Sequence, residues 1–323
     1  MTSPVAPQSC SVQHEQAGTS AFGTAPVARF WVVLEQSGPW GRVAATESRL
    51  PVEIGRALDE ACSAAGGRLS LARSPSSHAD RQVGPRRAWL ASAGPTGWLL
   101  GGQIDSAATL LDVDFGALAR GDVESVRASA PWAAPEPPIL LVCTNGRRDV
   151  CCAARGRPVA RAGHAAYPGR VWEASHTGGH RFAPTGVLLP HGRMLGRLDL
   201  ADPAAVVRAA DAGQLPEHLL GLVHDRGCTA YSSLAQTAES AVRAASGRLG
   251  LSALRVVDLV VHDAERASAT VDDAETSWRV ELTRASLPPL PASCGGAPEP
   301  VTTWLVRTLA ETEESASGAP ADG

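Results

Sequence analysis

The sequence predicts an α/β chain because one order of elements occurs in it twice. Each copy reads as an apolar strand, a helix, a second strand, a hairpin and a closing helix. A third stretch, residues 216–310, reads instead as a small α+β module. The three differ in how their apolar residues are spaced.

The first copy spans residues 28–130. It opens on Phe30-Trp31-Val32-Val33-Leu34, an unbroken apolar run of strand length. A helix follows Pro51, with Ile54, Ala57, Leu58, Ala61, Cys62 and Ala65 at helical spacing and Gly66-Gly67 as its stop. Arg68-Leu69-Ser70-Leu71 is the next strand. A hairpin runs from Ala88-Trp89-Leu90 through Gly94-Pro95 to Trp98-Leu99-Leu100, ahead of a helix near Ala117. The proline-rich stretch Pro131 to Pro138 then reads as a linker.

The second copy, residues 137–213, repeats the order. Strand Ile139-Leu140-Leu141-Val142 leads into Cys143, and a helix from Ala153 to about Ala166 follows Cys152. Strand Arg170-Val171-Trp172-Glu173 precedes two histidines. The hairpin Val187 to Leu195 comes before a helix that starts near Asp202-Pro203, with Asp as N-cap and Pro at the first position. This β-α-β-hairpin-α order is the thioredoxin-like arrangement. In residues 216–310 the helix Ser232 to Ala245 carries Leu234, Ala238, Ala241, Val242 and Ala245 on one face. Trp278, Val280 and Leu282 alternate with Arg279 and Glu281, as in a half-exposed strand.

Residues 1–27, rich in Ser, Thr, Ala, Pro and Gln, are expected to be disordered, and so is the tail 311–323. The first 27 residues lack the basic start and apolar core of a signal peptide, and no apolar run approaches the length of a membrane helix. All 29 basic residues are Arg and the net charge is −4, which argues against a nucleic-acid backbone binder. Seven scattered cysteines do not form a secreted disulfide framework. A cytoplasmic, reducing location is expected, with no membrane partner.

The chemistry-bearing residues are Cys143 and Cys152, nine positions apart, and His176 and His180, which bracket Gly178-Gly179. Two thiolates and two imidazoles suit zinc or an iron–sulfur cluster. The gap between the cysteines is too long for a zinc knuckle, and two Cys with two His is the ligand chemistry of Rieske centres, though in a different order. Cys151 adjoins Cys152, and the residues alone do not choose between them. The charged run Arg147-Arg148-Asp149 reads as a solvated loop or as hydrogen-bonding support for the ligands. Where the second copy has Cys143, the first has Leu34 or Glu35, so the first copy reads as a scaffold. Cys10, Cys62, Cys228 and Cys294 read as inert or core thiols.

The run Val142 to Cys152, and the run Val171 to Ala183 with its His-Thr-Gly-Gly-His, resemble the sucrase/ferredoxin-like family, which includes the bis-histidinyl thioredoxin-like ferredoxins. The resemblance is clear over residues 137–213 and extends more weakly through Trp40 and Ser293-Cys294-Gly295. It implies a [2Fe–2S] cluster held by Cys143, Cys152, His176 and His180, and it picks Cys152 over Cys151. It also implies a thioredoxin-like ferredoxin domain preceded by a degenerate thioredoxin-like unit. Many relatives carry His where this chain has Asn145, which is not a ligand position. The function implied is one-electron transfer to or from a redox partner protein, with no catalytic residues. A zinc interaction module and a sugar hydrolase are the competing expectations. The first is distinguished by metal content, and the second lacks an evident pair of acids. No C-x-x-C, G-x-S-x-G, G-x-G-x-x-G or Walker A pattern is present.

Overall fold

The two apolar runs form strands covered on both sides. Every residue of Ile139–Cys143 is buried, as is every residue of Phe30–Glu35 except the last. The computed structural model describes residues 6–76 and 84–312. Its first half contains α1 (Cys10–Gln16), β1 (Phe30–Glu35), α2 (Ala44–Glu47), α3 (Val52–Ala64), β2 (Arg68–Arg73), β3 (Arg86–Ser92), β4 (Trp98–Ile104), α4 (Phe115–Arg120), α5 (Val123–Ser129) and β5 (Ala134–Pro135). The second contains β6 (Ile139–Cys143), α6 (Val150–Ala166), β7 (Val171–Ala174), β8 (Gly186–Leu189), β9 (Arg193–Leu195), α7 (Asp202–Asp211) and β10 (Asp225–Cys228). Then come α8 (Ser233–Ser246), β11 (Arg255–Val261), β12 (Arg266–Asp272), β13 (Ser277–Pro291) and β14 (Pro298–Thr312).

The repeated order in the sequence becomes a repeated topology. In the first half β1 pairs with β2 in parallel and with β3 antiparallel, and β3 pairs with β4. In the second half β6 stands to β7, β8 and β9 in the same way. The halves join edge to edge through β2 and β7, giving one ten-stranded sheet in the order β10-β9-β8-β6-β7-β2-β1-β3-β4-β5. Alternate residues of the central strands serve different cores. Phe30, Val32 and Leu34 pack among the residues of α3 to α5, and Leu140 and Val142 pack against α6 and α7. Trp31, Val33, Ile139 and Leu141 face the other way into a core common to both halves. The sheet must curl around that core. Trp89 on β3 meets Trp172 on β7 edge-on at 4.9 Å, although three strand spacings of about 4.8 Å separate them in a flat sheet.

The remaining strands form a separate antiparallel sheet, β11-β12-β13-β14, packed on α8. Trp278, Val280 and Leu282 point into its core, as the alternation predicts. A buried charge network fastens this part to the large sheet: Arg193 of β9 pairs with Asp225 of β10 and Glu239 of α8, and Arg243 pairs with Glu239 at 2.7 Å. Among the described residues no helix is long and apolar enough to cross a membrane.

Three sequence expectations need correction. The helix after the cysteines begins at Val150, not Ala153, so Cys151 and Cys152 lie in its first turn. Its N-cap is Asp149, whose side chain accepts from the Cys151 amide. Asp202 does not cap α7 with its side chain, because the N-cap position falls on Ala201; Asp199 accepts from the Ala201 and Asp202 amides instead. Within the N-terminal segment expected to be disordered, α1 is formed and Cys10, Ser11 and His14 are buried. Composition misses this because distant residues hold it. Arg155 bonds Ser11 and pairs with Glu15, and Arg197 donates to the carbonyls of His14 and Thr19. At the other end, the expected tail begins inside β14, and residues 313–323, like residues 1–5, lie outside the described residues.

The anchoring of α1 is expected to depend on pH. Burial, reinforced by Arg181 and Arg197, pushes the His14 imidazole down to about 4, whereas in an unfolded segment it titrates near 6.5. The neutral ring therefore favours the docked helix fully above pH about 6.5, and the stabilisation is lost as pH falls toward 4. Amide exchange of residues 10–17 should speed up between pH 6.5 and 4. Protection unchanged over that range, after correction for intrinsic exchange, would refute this.

Candidate metal centre

In a parallel pair both strands end at the same sheet edge, and Cys143 at the end of β6 is in register with Ala174 at the end of β7. His176 follows two residues later, and α6 delivers its N-terminus to that edge. The close approach of α6 requires Gly156, since a Cβ there would stand 2.2 Å from the Cys143 carbonyl oxygen. Cys143 and Cys152 are both buried, and the Cys143 thiol contacts Cys152 and His176. The hydrogen bond from Cys152, helped by His176, holds Cys143 well below the usual thiol range despite its burial. The same contact, with burial, raises Cys152 well above that range.

The histidine loop turns at Gly178 and Gly179, whose φ values of +87° and +71° favour glycine. The two imidazole rings lie 6.4 Å apart, both half-buried. Burial lowers the His180 pKa, and Asp149, whose carboxylate lies 3.8 Å from Nε2, acts against that. Nδ1 of His176 and Nδ1 of His180 are buried and meet no hydrogen-bond partner among the described residues. Two orphaned imidazole nitrogens on the loop whose His176 contacts Cys143 fit a metal group, whose bonds would supply the missing partners.

Beneath the loop lies Arg226, which nothing in the sequence signalled. It is fully buried and donates to the Gly178 carbonyl at 2.8 Å, to Thr24 Oγ1 at 3.1 Å and to the Thr24 carbonyl. Burial pushes its guanidinium down to about 9, and Arg181 adds to the effect, while Cys143 and Cys152 oppose it. Arg181, Arg197 and Arg226 surround the Phe182 ring at 4.9, 5.0 and 5.3 Å. A Cβ at Gly179 would fall 2.2 Å from the Arg226 guanidinium.

Cys151 turns away from this group. Its thiol lies 3.1 Å from Cys294 and 3.8 Å from Cys10. Asp149 is buried beside these thiols. Burial would raise its pKa, but the Cys294 and Cys151 amides hold its carboxyl below the usual range. Cys10 and Cys294, which the sequence reads as inert or core thiols, are brought together with Cys151 by long-range folding. Cys62 and Cys228 are buried, and burial pushes them up to about 12 and about 11.

A family model described as sucrase/ferredoxin-like matches residues 22–220, from before β1 to beyond α7. No curated protein and no solved structure gives a match.

Arg226 is expected to set the shape of the histidine loop. Arg226→Met leaves the Gly178 and Thr24 carbonyls without their donor, at a cost of about 1–3 kcal/mol for each buried acceptor left unpaired. Arg226→Lys should recover only part of this, because an ammonium lacks the planar fork. Chemical denaturation and amide exchange at residues 176–182 measure it. Unchanged exchange in the Met variant would remove Arg226 from this role.

Proposed function

The chain belongs to the sucrase/ferredoxin-like family, and from that membership and the site geometry we propose that it carries single electrons through a [2Fe–2S] cluster held by Cys143, Cys152, His176 and His180. The observation that carries the reading is the contact of the buried Cys143 thiol with Cys152 and His176, with His180 6.4 Å from His176 ring to ring across the glycine turn and with both Nδ1 atoms lacking partners among the described residues. Such a group supplies a one-electron couple, with His ligation giving potentials of about −150 to +300 mV in Rieske centres against about −400 mV in plant-type ferredoxins.

The protein's own residues tune the site. The N-terminus of α6 and the buried Arg226 both favour negative charge on Cys143 and Cys152. Asp149 lies near Nε2 of His180, the relation in which a carboxylate orients a ligating imidazole and fixes its proton. The second nitrogen of each ring can hold a proton, so electron transfer is expected to be coupled to proton uptake. A cleft of about 180 Å³ reaches His176 and is lined by Arg42, Arg68 and Arg148 against the single acid Asp59. That lining favours an acidic face on the redox partner.

Chain purified without oxygen should be red-brown, with about two irons and two sulfides per chain. Cys152→Ser should abolish or radically change the spectrum, and Cys151→Ser should leave it nearly unchanged. The midpoint potential should fall with rising pH by about 59 mV per pH unit for each coupled proton. His176→Cys and His180→Cys should keep a chromophore, lower the potential and weaken that slope. A colourless protein with zinc bound to two sulfurs and two nitrogens would refute the proposal, and a potential independent of pH would refute its proton coupling.

A further inference from the structure

Cys10, Asp149, Cys151 and Cys294 converge from three regions of the chain: the start of α1, the cap and first turn of α6, and the loop between β13 and β14. The Sγ–Sγ separations are 3.1 Å for Cys151–Cys294, 3.6 Å for Cys10–Cys294 and 3.8 Å for Cys10–Cys151. The Asp149 carboxylate oxygens lie 3.9 and 4.0 Å from Cys10 Sγ. All four ligand atoms fall within 4.8 Å of one another. Cys10, Asp149 and Cys151 are buried, Cys294 is half-buried, and all three cysteines are free thiols.

These distances select among the chemistries open to three thiols. Zinc bonded to sulfur at about 2.3 Å in a tetrahedron has sulfur–sulfur edges of about 3.8 Å. Two of the three edges lie within 0.2 Å of that value, and a small rotation of the half-buried Cys294 opens the third. An iron–sulfur cluster fits less well, because bridging sulfides hold thiolates on different irons farther apart than two ligands of one ion. A Cys151–Cys294 disulfide would use two of the three thiols and leave Cys10, 3.8 Å from Cys151 and 3.6 Å from Cys294, out of the bond. One ion uses all four groups. Three thiolates select a soft cation, and a set of four protein ligands closes the coordination sphere, as in structural zinc sites.

We propose that Cys10, Cys151, Cys294 and Asp149 form a second, structural metal site that binds one zinc ion, separate from Cys143, Cys152, His176 and His180. Each thiol gives its proton to solvent as its zinc–sulfur bond forms. The site would tie α1 and the loop between β13 and β14 to the helix that carries Cys152. It goes beyond the family match, since Cys10 and Cys294 lie outside residues 22–220.

The test uses the full chain, expressed with iron and zinc, purified under reducing conditions and without oxygen. Elemental analysis should find one zinc per chain in addition to any iron, and X-ray absorption at the zinc edge should report three sulfurs and one oxygen. Cys10→Ser and Cys294→Ser should each lose the zinc and keep the iron-dependent absorption. The zinc-edge spectrum of the unmodified chain decides the matter if a variant fails to fold. Iron absent but zinc bound by three sulfurs and one oxygen would uphold this site while refuting the cluster. A fully reduced chain that takes up no stoichiometric zinc, a zinc shell containing imidazole nitrogen, or a native Cys151–Cys294 disulfide would each overturn it.

Discussion

The parallel pairing of β6 with β7 is the constraint on which the site depends. Its register sets Cys143 opposite Ala174, so the residues that follow each strand emerge side by side. The crossover between them is α6, and a helix linking parallel strands starts at the edge where the first strand ends. One topological unit therefore delivers Cys143, Cys152 and His176 to a single place, and Gly178-Gly179 brings His180 back to it. Eight residues between the cysteines and three between the histidines are the lengths of a strand-to-helix loop and a tight turn. The spacing in the sequence follows from the fold.

The first half of the large sheet contributes none of the four candidate ligands Cys143, Cys152, His176 and His180, yet holds the candidate site from the side. At the seam Leu71 and Ser175 exchange two hydrogen bonds, at 2.8 and 3.1 Å, one residue before His176. Arg73 grips Glu173 through two nitrogens and lies over the Trp40 ring, and Glu173 also accepts from Thr144, the residue after Cys143. The loops after β6 and β7 are thus both tied to β2. The half without the candidate ligands has a purpose here, because the pairing of β2 with β7 removes an exposed edge from each half.

Much of this was legible in the sequence, and what was not has a physical explanation. Strands such as Phe30–Glu35 and helices such as α3 and α8 declare themselves through local periodicity, and the four candidate ligands through type and spacing. Asp149 was visible as a charged residue ahead of a helix, but its capping role depended on where α6 begins. Arg226 gave no signal, because a buried arginine is recognised only by the carbonyls it meets. The union of the halves through β2 and β7, and the meeting of Cys10 with Cys294, are contacts between residues about 100 and 284 positions apart. No local pattern encodes them. Helix α1 was misjudged for the same reason, since its order is supplied by Arg155 and Arg197.

The cysteine pair at 151 and 152 shows how one helical turn can serve two purposes. Neighbouring residues on a helix project about 100° apart, so Cys152 faces Cys143 while Cys151 faces Cys10 and Cys294. Had the helix begun at Ala153, both cysteines would lie on a flexible loop and their directions would not be fixed. The N-cap prevents that: Asp149 holds the Cys151 amide at 2.9 Å and so fixes the first turn. The same carboxylate accepts from the Cys294 amide at 2.9 Å and lies 3.8 Å from His180 Nε2. Asp149 is therefore common to both groups of thiols. The two groups meet at one buried carboxylate and at the adjacent residues Cys151 and Cys152, so the path between them is short.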